Sequence, residues 1–128
     1  MNKQLIIVAS VFGILAVVLG AFGSHGLKNL IDSAGIDVWK TAVSYQFYHT
    51  FALLFLALVP PSAIKNVKLA AWFFVLGILF FSGSLYLISL KDFLGISQLS
   101  ILGPITPLGG LCFILGWSVI LYSALKNK

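Results

Sequence analysis

Four long runs free of aspartate, glutamate and arginine decide what this 128-residue chain can become. They cover roughly residues 4–24, 38–59, 69–90 and 108–125, and the single lysine within them, Lys40, lies in the first turn of the second. About 20 apolar residues in a helix cross a hydrocarbon layer of about 30 Å. Among acyl chains every backbone amide and carbonyl must be paired inside the protein, which leaves helices or a closed barrel. The runs lack the two-residue alternation of barrel strands. The fold class they imply is all-α, an integral membrane four-helix bundle forming a single transmembrane domain over residues 1–128.

Composition excludes most other classes. The chain is 60% hydrophobic and 9% charged, against about 25% charged in soluble domains. Eight lysines and three aspartates give +5, with no arginine and no glutamate. Without a basic face or arginine forks there is nothing to grip a phosphate backbone, so nucleic acid is not an expected partner. Cys112 has no second cysteine to pair with and reads as a small apolar residue. The start Met-Asn-Lys, an apolar stretch and Ala21-Phe22-Gly23 imitate a secretory leader. That stretch is about twice the usual leader core and three more follow, so it reads as a first span.

Local signals place the boundaries. Asp37 suits the N-cap of the second span and Pro60-Pro61 its end. Thr106-Pro107 reads as an N-cap with proline at the first helical position, starting the fourth span near Leu108. Between Gly26 and Gly35 the spacing of Leu27, Leu30, Ile31 and Ala34 predicts a short outer interfacial helix. The stretch from Lys91 to Thr106 is apolar (Phe93, Leu94, Ile96, Leu99, Ile101, Leu102) but broken by Gly95, Gly103 and Pro104, so it either dips into the outer leaflet or lies over the bundle. Trp39, Trp72, Trp117, Tyr45 and Tyr122 are expected in aromatic belts at the span ends. Lys3, Lys65, Lys68, Lys126 and Lys128 fall on one side, while Lys28, Lys40 and Lys91 share the other with Asp32, Asp37 and Asp92. The positive-inside rule then puts both termini in the cytoplasm of a cell (inner) membrane protein.

A polar side chain inside a span is costly unless it finds a partner. Gln46 and His49, three apart, share one face of the second helix, and His49 falls near mid-membrane, where burial disfavours a charged imidazole. The pair reads either as a proton relay or ligand contact, or as an interhelical hydrogen bond. Ser82 and Tyr86 stand one turn apart on the third span with Ser84 on another face, ready to answer them or to bond to their own helix. Gly13, Ala16, Gly20 and Gly23 form a small-residue stripe that lets another helix approach closely. Gly103, Pro104, Thr106, Gly109 and Gly110 read as non-helical backbone before a helix N-terminus, either a backbone binding site or a rigid turn. His25 with Gly26 is expected to cap the first helix, and no third ligand accompanies the histidines, so no metal is expected. No cofactor motif is present. An enzymatic pairing of His49 with Ser82 or Ser84 lacks an orienting acid, so no catalytic residue is assigned.

Four stretches carry a family resemblance: Gly-Ala-Phe-Gly-Ser-His-Gly-Leu (20–27), Trp-Lys-Thr-Ala-Val-Ser-Tyr-Gln-Phe-Tyr-His (39–49), Phe-Ser-Gly-Ser-Leu-Tyr (81–86) and Gly-Pro-Ile-Thr-Pro-Leu-Gly-Gly (103–110). In this order the chain resembles the YgdD/YwdK family, small uncharacterised multi-pass membrane proteins of bacteria with eukaryotic relatives. The resemblance implies four helices in the plasma membrane and supplies no reaction. Two functions are then expected in order: a non-enzymatic bundle binding membrane lipid, a second copy or another membrane protein, and a small oligomeric transporter or channel for a neutral or weakly acidic solute.

Overall fold

The computed structural model describes residues 1–96 and 100–126. Leu99, in the outer segment discussed above, and Lys128, in the lysine count, lie outside the described residues. Among the described residues four helical stretches are long and apolar enough to cross a membrane: α1 (Lys3–His25), α2 (Ser33–Leu58), a third span Val67–Ser89, and a fourth, Leu102–Lys126. The third comprises α3 (Val67–Gly77), a π-helical turn (Ile78–Ser82) and α4 (Gly83–Ser89); the fourth is α5. No strand occurs among the described residues.

The most buried span is α2 and the least buried is α1, which packs on α2. The Gly13/Ala16/Gly20/Gly23 stripe faces α2: a Cβ on Gly13 would touch Thr50 at 3.6 Å and one on Gly20 would touch Val43 at 3.4 Å. On the other side α3 packs on α5 by the same device used twice. Phe113 covers Gly77 and Phe74 covers Gly116, and an added Cβ would meet those rings at 2.3 and 2.6 Å. The core is Leu53, Leu56, Phe74, Ile78 and Phe113 with small alanines between. Ile7, Ile14, Phe51, Leu58, Ile114 and Leu121 point outward, the surface expected where acyl chains rather than water surround the helices.

Several boundaries differ from the sequence expectation. The second helix starts at Ser33, capped by Asp32, whose Oδ1 accepts from the Gly35 amide at 2.8 Å. Asp37 lies inside that helix, its carbonyl accepting from the Thr41 hydroxyl. Both aspartates satisfy the cap chemistry; Gly35 decides, because its backbone seats closely against Ser89 (a Cβ would lie 3.2 Å from that carbonyl). The expected outer helix over Gly26–Gly35 is therefore absent: residues 26–31 are turns, and the remainder joins α2. Trp39 is not in a belt. It is 3% exposed, lies against Gly23, and donates from Nε1 to the Leu19 carbonyl at 2.8 Å.

The largest correction concerns α5, which begins at Leu102, not near Leu108. Pro104 is tolerated because a first-turn amide has no helical partner. Pro107 sits inside the helix and forgoes one backbone bond. Thr106 is not an N-cap: its hydroxyl bonds back to the Leu102 carbonyl at 3.4 Å. The end of α2 follows the sequence, with Val59 extended before Pro60-Pro61.

Candidate functional site

Two hydrogen-bonded clusters start on α2, three residues apart. In the first, the Gln46 amide nitrogen donates to the Phe12 carbonyl of α1 at 2.9 Å and its Oε1 accepts from the Tyr86 hydroxyl of α4 at 2.7 Å. A carbonyl only accepts, which fixes the amide's orientation. One side chain thus ties α1 to α4 across α2. Below it the Thr50 hydroxyl returns to the Gln46 carbonyl at 2.7 Å.

The second cluster turns toward α5, since residues three apart on a helix are offset by about 60°. The Trp117 indole donates to His49 Nε2 at 3.2 Å, and His49 Nδ1 meets the Tyr45 carbonyl at 2.8 Å. An indole N–H only donates and a carbonyl only accepts. These partners assign the neutral imidazole with its proton on Nδ1. The ring lies flat on Phe113, with centroids 3.5 Å apart and planes 6° apart.

The remaining candidates also join helices. Ser82 donates to the Ala42 carbonyl at 2.8 Å, and the Ser84 and Thr106 hydroxyls meet, linking α4 to α5. At the other end Ser123 donates to the Lys65 carbonyl at 2.7 Å. Among the described residues no buried side-chain nitrogen or oxygen lacks a partner. The π turn widens the backbone by one residue and brings the Phe80–Phe81 backbone against Gly109.

The expected backbone site is corrected: Gly103, Pro104, Thr106, Gly109 and Gly110 are all helical. Gly109 serves close helix approach, and Gly110 lines a groove. That groove, 760 Å³ in volume, runs between α2 and α5 beside His49 and Trp117, with walls from Tyr45, Tyr48, Phe81 and Phe113. It opens on the outer surface of the bundle, where Tyr48 and Ile114 are exposed. His25 ends α1 and is exposed; the Phe22 carbonyl is taken by the backbone amides of Gly26 and Leu27. Gly26 has φ −73°, and its missing Cβ instead makes room for the Phe22 ring. Among the described residues no three His, Cys, Asp or Glu side chains gather around a common point.

A family of proteins of unknown function, DUF423, matches residues 19–110. A UPF0382 membrane protein of Staphylococcus epidermidis is 42% identical over 124 residues, 97% of each chain. The UPF0382 membrane protein YwdK of Bacillus subtilis is 44% identical over 126 residues, 97% of this chain and 98% of its own. A UPF0382 membrane protein of Staphylococcus aureus, SAB0533, is 40% identical over 124 residues, again 97% of each chain. The chain belongs to the UPF0382 family. With its four spans it is a multi-pass membrane protein of unknown molecular function, as the resemblance to YwdK implied. No solved structure matches it.

Two tryptophans of this UPF0382 chain, Trp117 in the second cluster and Trp39 beside Gly23, have contacts that the sequence does not show. Their positions toward the span ends suggest aromatic belts, yet the Trp117 indole donates to His49 Nε2 and the Trp39 indole to the Leu19 carbonyl. The usable signal was Gly23, one small residue opposite a large one. The π turn leaves no sequence signal, because one extra residue in a helix changes no residue type.

Proposed function

We propose that this UPF0382 chain is a non-enzymatic membrane component that holds a lipid tail in the aromatic groove between α2 and α5. The observation that carries the reading is the groove itself. Its 760 Å³ is lined almost wholly by rings and aliphatic side chains, within the about 300–1,000 Å³ of small-molecule sites. It opens sideways at mid-span, where acyl chains are the neighbours, and flat ring faces give a methylene or isoprenoid chain many dispersion contacts.

The small-residue stripe no longer argues for a second copy, since α2 occupies it. A solute path has less support, because Gln46 and Tyr86 close on each other and on Phe12, apart from the groove. Nucleophilic catalysis needs a base beside the hydroxyl, whereas Ser82 donates to a carbonyl and His49 Nε2 is taken by Trp117.

Native mass spectrometry of protein in nanodiscs tests the reading. Wild type is expected as a protein mass with a retained lipid, and Gly110→Phe, which fills the groove, is expected to lose that lipid while staying folded. A wild type without lipid, or a lipid-free dimer, overturns it. We further propose that the chain lies in the cell (inner) membrane with both termini cytoplasmic. Lys3, Lys65, Lys68 and Lys126 gather at one end, and the Asn2 amide bonded to the Ala57 carbonyl at 2.8 Å holds the N-terminus there. Reporters fused to either end are expected to fluoresce in the cytoplasm; activity of a periplasmic or extracellular reporter at either end contradicts this.

A further inference from the structure

We propose that the cleft between α1 and α3 at the lysine-rich end binds one anionic phospholipid. Both helices pack against the same core, yet a cleft of 370 Å³ separates them, with Leu5, Val8, Ala71 and Val75 on its walls and Trp72 at its side. It shares no lining residue with the α2/α5 groove. From Lys68 to Val75 it runs two helical turns, about 10 Å, so a tail entering at the lysines continues along apolar walls. At its mouth a second hollow of 480 Å³ adds Lys3 and shares Asn2, Gln4 and Lys68 with the first.

Charge selects the occupant. Lys3 and Lys68 are exposed, and the three aspartates of the chain, Asp32, Asp37 and Asp92, all belong to the opposite end. Among the described residues the site therefore offers two lysines and no acidic side chain, above a slot shaped for a hydrocarbon tail. A zwitterionic headgroup brings its own cation against the lysines; an anionic one does not. Trp72 is 64% exposed beside the cleft, where an indole favours the headgroup boundary. The slot also separates a lipid from free phosphate, which has no tail to place in it.

The test is native mass spectrometry from nanodiscs of mixed phosphatidylcholine and phosphatidylglycerol. Wild type is expected to retain phosphatidylglycerol in preference. Lys3→Gln with Lys68→Gln is expected to lower that preference by about five-fold per lysine, whereas Lys28→Gln with Lys91→Gln leaves it unchanged. Val8→Trp, which narrows the slot with both lysines present, is expected to lower the bound count. Gly110→Phe is expected to leave the preference intact, so this site and the α2/α5 groove stand or fall separately. Equal retention of the two lipids, indifference to the Lys3/Lys68 pair, displacement by millimolar inorganic phosphate, or disappearance of the phosphatidylglycerol preference in Gly110→Phe each overturns the proposal.

Discussion

Gly109→Ala is expected to loosen α5 from the third span and to cost about 3 kcal/mol, the upper end of what overpacking costs. A Cβ there would lie 2.3 Å from the Phe81 amide nitrogen and 2.8 Å from the Phe80 carbonyl carbon and the Phe81 Cα. These are backbone atoms of the π turn, so no side chain can rotate away. Either α5 backs off, stretching the Ser84–Thr106 and Trp117–His49 contacts, or the π turn rewinds and withdraws Ser82 from Ala42. Gly83 is the control, because nothing stands within 4 Å of an added Cβ. Gly83→Ala is expected to be neutral or to gain up to about 1 kcal/mol, as replacing a helical glycine does. Reversible unfolding in bicelles compares the two. Equal stability of Gly109→Ala and wild type contradicts the close packing of α5 on the π turn.

The second large effect is expected at Gln46. Gln46→Leu preserves size and removes both the bond to Phe12 and the bond from Tyr86. Polar contacts between membrane helices contribute about 0.6 to 2 kcal/mol each, so the loss is about 1 to 4 kcal/mol. It falls mainly on α1, which the fold attaches chiefly to α2. The observable is therefore local: amide exchange or protease access in α1 is expected to rise before the other spans open. Uniform loosening of all four spans, or none, contradicts the placement of Gln46 as a clamp on α1.

How much of this was legible in the sequence divides along a physical line. The spans were legible because desolvating a helix in lipid is a property of about twenty residues summed, and one misread residue changes little. Pro60-Pro61 was legible because a missing amide acts locally. The start of α2 was not, because Asp32 and Asp37 offer the same cap chemistry and the choice rests on Gly35 meeting Ser89, far away in sequence. The segment Gly103–Gly110 misled for a related reason. Its glycines and prolines weaken a helix locally, but Pro104 falls in the first turn and Gly109 is needed against Phe81, so packing outweighs propensity. At the candidate site, the pairing of Gln46 and His49 on one face was visible from their spacing. Their divergence was not: 60° of rotation sends one to Phe12 and Tyr86 and the other to Trp117, and only the arrangement of neighbouring helices sets that.

The most direct measurement is a double-mutant cycle between Gln46→Leu and Tyr86→Phe, read as unfolding free energy in bicelles beside solute flux in liposomes. If the intramembrane polar groups hold helices together, the double variant costs less than the two single losses added, by about 1 kcal/mol, and flux stays at the protein-free level throughout. Additive stabilities together with a wild-type flux that either substitution abolishes would instead place these side chains on a solute path.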